Sequence, residues 1–314
     1  MVEVIIQEIK EETPNIKRFT LQAADGSRLP RFSGGSHITT YVQTDQRTIE
    51  RSYSLLNDSN TTKFYQIAIR RSDSSRGGSV YWHDSMNVGD MLKISYPKNH
   101  FPISFKGKHH ILIAAGIGIT PFLAMAAELK RNSKSFELHY AAPSKAGCAF
   151  YDRLTTLYPN ETHFYFSKEN HKMTADVMKH KPIGSHVYFC GPENMVGQYR
   201  KAAKAYGYPE TSIHFELFAP PDLGPKQAFQ VRLASSEQII QVPAEESLLD
   251  TLLKQGVNAP YSCKMGGCGS CQVNVLEGEV DHRDCFLSED EKKNKKVMLT
   301  CVSRAKEGYV VLDL

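Results

Sequence analysis

A chain of 314 residues with 41% hydrophobic and 23% charged side chains has the length and balance of a soluble globular protein of two or three domains. No apolar run reaches the roughly 18 residues of a membrane span, the N-terminus lacks the basic and apolar regions of a signal peptide, and no basic cluster interleaved with aromatics suggests nucleic acid. The net charge of +4 is uneven: residues 227–314 carry 10 Lys+Arg against 13 Asp+Glu, net −3, which leaves +7 on residues 1–226. That split suits phosphate cofactors upstream and a partner downstream, and an ordinary solvated surface equally well.

In chain order, Val2–Ile9, Ile16–Gln22, His37–Val42, Phe64–Arg70 and Met91–Tyr96 alternate or are rich in β-branched residues. Gly, Pro, Asp and Ser break them, which predicts an antiparallel β-barrel over residues 1–103. Within it, Arg51-Ser52-Tyr53-Ser54 lies where a strand is exposed. Arginine meets a phosphate with a planar fork, tyrosine packs beside an aromatic ring, and both serines donate hydrogen bonds. A strand end with a turn explains these four residues taken alone. Arg76-Gly77-Gly78-Ser79 follows at a helix start, where exposed amides and Arg76 suit an anion. Together the two segments read as a flavin phosphate cradle.

The pattern then changes. The apolar strand His110–Ala115 leads through Gly116-Ile117-Gly118-Ile119-Thr120-Pro121 into a helical run, Phe122–Arg131. Phe136–Ala141, His163–Phe166 and His186–Phe189 are further buried-strand candidates, with helical stretches after Phe150, Thr174 and Glu193. Strands alternating with helices predict a parallel α/β sheet over residues 104–222. The glycines at 116 and 118 let a pyrophosphate approach the backbone, and Pro121 suits a first helical turn. Cys190-Gly191-Pro192 is a second turn at a strand's carboxyl end, on the same sheet edge. Cys190 by itself reads equally as a buried small hydrophobe.

A Pro-rich linker, Phe218–Lys226, precedes two alternating strands, Ala228–Ala234 and Gln238–Val242, a helix from Ser247 to Gln255 and a strand Gln272–Leu276. Between helix and strand, Cys263, Cys268 and Cys271 read C-x4-C-x2-C, and Cys301 follows downstream. This is the spacing of a plant-type [2Fe–2S] cluster held by four thiolates. Gly266, Gly267 and Gly269 let the loop wrap the cluster without Cβ clashes. Zinc is the alternative, but zinc sites pair one C-x2-C with another or with a His pair. Cys148 and Cys285 read as structural residues, and seven cysteines with four on iron imply a reducing cytoplasm. The histidines form no H-x-E or H-E-x-x-H pattern, so no separate metal centre is expected.

These motifs, in this order and over essentially the whole chain, resemble the phthalate dioxygenase reductase family, which includes vanillate demethylase reductases. Arg51–Ser54 is similar to its flavin motif and Arg76–Ser79 to its phosphate loop. Pro97–Pro102, Gly116–Pro121, Cys190–Pro192, His214–Phe218, Gly278–Asp284 and Cys301–Ala305 match its later segments. The resemblance implies FMN rather than FAD, and three domains: an FMN barrel at 1–103, an NAD(P) α/β domain at 104–222 and an α+β, β-grasp ferredoxin domain at 227–314. It implies that Arg51–Ser54 and Arg76–Ser79 hold FMN, and that Thr120 and Phe218 lie near the isoalloxazine. Gly116, Gly118, Cys190, Gly191 and Pro192 would lie near the nicotinamide nucleotide, with Cys190 and Thr120 orienting the reacting rings. The implied electron acceptor is a Rieske-type non-haem iron oxygenase.

One departure bears on the nucleotide. NADH-preferring relatives often carry an acidic residue after the strand at 163–166, whereas this chain reads Ser167-Lys168-Glu169. That resembles the Ser-Arg-Glu segment with which NADPH-dependent ferredoxin reductases bind a 2′-phosphate. NADH is expected on family habit, with NADPH as the alternative through Ser167 and Lys168. The expected activity is a change of electron number: a nicotinamide gives electrons in pairs, a flavin takes them and passes them singly, and the cluster carries one. Rival readings are a reductase for a di-iron hydroxylase and a non-catalytic flavin and iron–sulfur redox sensor. A monomer is expected, since no long apolar interface helix is evident.

Overall fold

The computed structural model describes residues 1–44, 48–72, 77–219 and 223–314. They form two compact units, Met1–Glu216 and Leu217–Leu314.

The first unit begins with β1 (Val2–Thr13), β2 (Ile16–Ala23), β3 (Ser36–Gln43), β4 (Thr48–Ser54), β5 (Tyr65–Arg70), helix α1 (Gly78–Asp84), β6 (Met91–Ile94) and the short β7 (Lys98–Asn99). The strands pair antiparallel in the order β4-β3-β6-β1-β2-β5, with β7 on β3. The outermost strands, β4 and β5, lie side by side, so the sheet is barrel-like. Strand alternation sends Val4, Ile6, Phe19, Leu21, Ile38 and Ile67 inward, where Trp82 of α1 plugs the interior.

Five parallel strands follow: β8 (His109–Ala115), β9 (Ser135–Ala142), β10 (Thr162–Phe166), β11 (Ser185–Cys190) and β12 (Ile213–Glu216). Between them run α2 (Thr120–Arg131), α3 (Tyr151–Leu157) and α4 (Glu193–Ala205). The order β10-β9-β8-β11-β12 means that the chain winds outward from β8, then returns to its other side. The topological switch point therefore lies between β8 and β11. Ile111, Leu112, Ile113 and Ala114 are all fully buried, as expected of a parallel strand covered on both faces. One apolar cluster joins Ile16, Leu56, Ala68 and Phe101 of the antiparallel half to Leu112, Phe122, Tyr140 and Tyr188 of the parallel half. The two halves are thus one body, and the chain divides after Glu216.

In this unit, two elements depart from expectation. The stretch after Thr174 is a single 3-10 turn, Ala175–Met178, ended by an extended Lys179 and a left-handed His180. Strand β12 was hidden because its His214 and Glu216 are polar; β11 supplies its hydrogen bonds instead.

The second unit contains β13 (Phe229–Leu233), β14 (Ile239–Val242), α5 (Leu248–Lys254), β15 (Gln272–Glu277), β16 (Val280–Asp281), α6 (Glu289–Asn294), β17 (Val297–Leu299), β18 (Arg304–Ala305) and β19 (Tyr309–Leu312). Its main sheet has the order β14-β13-β19-β15-β17, with β13 and β19 parallel. Ser247 caps α5 by accepting the Asp250 N–H, and Leu248, Leu249 and Leu252 seal the helix onto the sheet. Arg304 is 3% exposed and donates to the carbonyls of Gln227, Pro243 and Glu246. Arg304→Met would strand three carbonyls, so it is expected to destabilise this unit by about 3 kcal/mol. Denaturant melts of the two proteins measure that difference; equal midpoints would contradict it.

Candidate functional site

In the antiparallel half, β4 splits its tetrapeptide between two faces. Ser52 Oγ meets Thr39 Oγ1 at 3.2 Å, and Ser54 lies opposite His37 in the register, whereas Tyr53 turns its ring edge-on to Trp82 of α1, 5.9 Å away. Arg51 lies along the start of α1: a Cβ built on Gly78 would stand 3.2 Å from Arg51 Nε. Gly77 caps the helix with φ 84, a left-handed conformation that glycine adopts without strain. Arg51 thus packs on the glycine start of α1, a guanidinium beside helix-start amides, which is the donor chemistry that suits a phosphate. The Ser79 hydroxyl is hydrogen-bonded to the Ser72 backbone on both its N–H and its carbonyl. Arg76 lies outside the described residues.

In the parallel half, β8 ends at a 3-10 turn, Gly116–Ile119, which runs directly into α2. The Cys190-Gly191 turn after β11 packs onto it. A Cβ on Gly118 would stand 2.2 Å from the Cys190 carbonyl oxygen, and one on Gly191 would stand 3.1 Å from Ala115 Cβ. The two glycine turns thus touch at the switch point, at the carboxyl end of the sheet where nucleotides bind. Cys190 is fully buried, and Thr120 is 2% exposed with its hydroxyl donating to the Ile117 carbonyl. Ser167 and Lys168 form an exposed turn after β10, on the same sheet edge. From β8 to β10 is two strand spacings, about 10 Å. Phe218 belongs to the second unit and is 39% exposed.

In the second unit, Cys263 and Cys268 are hydrogen-bonded to each other, and Cys271 Sγ lies 3.2 Å from Cys301 Sγ. The pairing of β15 with β17 brings the last two together, because it sets Gln272 opposite Leu299. The four thiols interact as one group: Cys268 is held down to about 4 by its bond to Cys263, and Cys263 is held up by the same bond. Four thiolates this close require positive charge between them, which iron supplies. Gly266 and Gly269 have φ 70 and 74, and added Cβ atoms would run into Val302 and Phe286 at 2.7 and 2.4 Å. The loop accordingly has the sulfur donors and the glycine wrap of a [2Fe–2S] site. Cys285 stands apart, its N–H and thiol both directed at the Gly266 carbonyl. Cys148 is buried beside Tyr140.

Two residues that sequence reasoning did not single out stand at these sites. Both ring nitrogens of His37, opposite Ser54, are buried without a hydrogen-bond partner, and burial brings the imidazole down to about 4. Glu216 closes β12 beside Cys190; its Oε2 is buried without a partner, and burial raises the carboxyl to about 8. The signal in sequence was a lone Glu at a strand end, which has no special periodicity. The folded Glu216 holds its proton from its ordinary 4.5 up to about 8, whereas the unfolded chain loses it at 4.5. The contribution of Glu216 to stability should therefore be greatest below pH 4.5, fall as pH rises to about 8, and be flat above. Glu216→Gln, which stays neutral, is expected to melt above wild type at pH 9 and level with it near pH 4.5. A melting difference independent of pH would contradict this.

Three family models match the chain: an oxidoreductase FAD-binding domain over residues 3–103, a dimethylamine monooxygenase subunit DmmA-like N-terminal domain over 95–213, and a 2Fe-2S iron-sulfur cluster binding domain over 231–306. The chain is 41% identical to the heme-dependent oxidative N-demethylase beta subunit of Ectopseudomonas mendocina, across 100% of this chain and 99% of that one. It is 37% identical to phthalate dioxygenase reductase of Burkholderia cepacia, across 96% and 93%. A solved structure of phthalate dioxygenase reductase, 34% identical, aligns with a TM-score of 0.80 over 100% of this chain and 98% of that one.

Proposed function

The chain belongs to the phthalate dioxygenase reductase family of NAD(P)H-dependent, flavin and [2Fe–2S] electron-transfer oxidoreductases, and from that premise we propose that it uses FMN and NADH to reduce a separate oxygenase. What supports this reading most is one observation: a single chain joins a switch-point nucleotide edge to a four-sulfur cage. Flavin, when bound, takes electrons in pairs from reduced nicotinamide, and a [2Fe–2S] cluster hands them on singly.

The chain's own residues then have defined tasks. Arg51 and the amides of Gly77 and Gly78 would neutralise the FMN phosphate, with Arg76 and Ser79, the neighbours of these glycines in sequence, as further donors. Tyr53, on the same face of the strand as Arg51, packs beside the ring, and Ser52 and Ser54 brace the strand from its other face. Gly116, Gly118, Gly191 and Pro192 give the nicotinamide nucleotide a floor without side chains. The buried Cys190 and Thr120 set the depth at which the nicotinamide rests. Ser167 and Lys168 take the adenosine end, where Lys168 leaves NADPH as the alternative donor. Cys263, Cys268, Cys271 and Cys301 would supply the four thiolates that hold the iron. The tasks divide among barrel, nucleotide and ferredoxin modules at 1–103, 104–222 and 227–314.

The acceptor proposed first is a Rieske-type oxygenase, as for the phthalate dioxygenase reductase family. A second reading has a specific basis: the Ectopseudomonas mendocina relative is part of a heme-dependent N-demethylase, and the DmmA-like model covers residues 95–213. No helix among the described residues is long and apolar enough to cross a membrane; a monomeric, cytoplasmic protein completes the proposal.

The test begins with the purified coloured protein. Heat-released flavin should be FMN by mass, and NADH should reduce it faster than NADPH does. Released FAD, or faster reduction by NADPH, would overturn those assignments. NADH-driven reduction of a purified Rieske oxygenase is then compared with that of a haem N-demethylase subunit. Selective reduction of the haem protein would replace the first acceptor by the second.

A further inference from the structure

The lack of a His-based metal motif in the linear sequence led to no expectation of a separate metal centre, yet strand pairing brings three potential ligands together from two strands. Glu137 and His139, two apart on β9, share a face. The register sets His163 of β10 directly opposite His139, and their rings stack 4.9 Å apart. One ligand atom from each of the three side chains lies within 4.8 Å of the other two.

The surrounding contacts leave the inward atoms available. His139 is 4% exposed and its Nδ1 bonds the Tyr165 hydroxyl at 2.9 Å. That fixes the ring and leaves Nε2, which is buried with no hydrogen-bond partner, 3.3 Å from Glu137 Oε2. Glu137 Oε1 is held by Lys181 Nζ at 2.5 Å and His109 Nε2 at 3.3 Å, so Oε2 is the oxygen turned toward the imidazoles. Metal-binding histidines and carboxylates characteristically have their outer atoms tethered in this way. Two imidazoles and a carboxylate suit a borderline divalent ion of the zinc class, with room left for water. An orphaned buried nitrogen is costly without a partner, and a cation supplies one.

We propose that Glu137, His139 and His163 bind one zinc-class divalent cation that ties the edge strand β10 to β9. This site is separate from the cysteine cage, and it lies on the strand that leads to Ser167 and Lys168. It is tested on iron-replete, flavin-loaded protein. Zinc is added, excess is removed by gel filtration, and zinc per chain is counted by elemental analysis. Affinity is then read by competition with a chromogenic chelator. About one zinc per chain should remain, and His163→Ala, at an exposed position, should weaken binding at least about tenfold. Zinc X-ray absorption should show nitrogen and oxygen neighbours only. Equal affinity in wild type and His163→Ala, sulfur neighbours, or no retained zinc would each overturn the site.

Discussion

Cys301→Ser is expected to abolish NADH-driven one-electron transfer to cytochrome c, a loss of about a hundredfold or more, while ferricyanide reduction from the flavin persists. Cys301 is 6% exposed and faces Cys271 at 3.2 Å across the end of the β15–β17 pair. A serine oxygen is harder than a thiolate and its hydroxyl does not ionise readily, so the cage loses a donor and a charge. Cys285→Ser is the matched control. Cys285 lies in the neighbouring loop but directs its N–H and thiol to the Gly266 carbonyl, so its loss should leave both activities near wild type. The red-brown absorbance of each variant, with the two rates, decides the matter. Equal losses in the two variants would mean that the fourth ligand is misassigned.

Gly118→Ala should do what Gly116→Ala does not. The added methyl at 118 would stand 2.2 Å from the Cys190 oxygen and 2.7 Å from the Gly191 nitrogen, both backbone atoms. The turns after β8 and β11 would have to part, deforming the surface proposed to receive the nicotinamide. At Gly116 the reverse holds: nothing lies within 4 Å of an added Cβ, but φ is +55, so the cost is conformational, about 1–2 kcal/mol. Stopped-flow reduction of the bound flavin by NADH should slow at least about tenfold for Gly118→Ala, from misplacing the reacting ring. It should change only a few-fold for Gly116→Ala. Similar rates for both variants would separate the glycine contact from hydride delivery.

Much of this was legible in the linear chain. The cysteine spacing named the cluster, because three close ligands lie on one loop and need no tertiary structure to be counted together. The antiparallel and parallel halves showed in hydrophobic periodicity, and β8, β9, β10 and β11 begin and end within a residue or two of where alternation and apolar runs put them. Glycines 116 and 118 and the Cys190–Pro192 turn were visible as strand-end punctuation.

Other features depended on pairings that composition does not encode. Strands β17 and β19 are short and follow polar stretches, lysine-rich before β17, so their periodicity is weak; β15 completes their hydrogen bonds. Arg283 and Arg304 lie in segments matched only as motifs, and the fold buries both, holding linker and loop carbonyls. Serines 52 and 54 stood in one motif with Arg51 and Tyr53, yet strand alternation turns them to the other face. Glu137, His139 and His163 become neighbours only because β9 and β10 pair in register. Local ligand spacing and periodicity are properties of consecutive residues, so the sequence by itself determined the cofactor class and the order of its domains. Burial, register and the meeting of two distant turns depend on which strands lie side by side, and tertiary structure alone decided those.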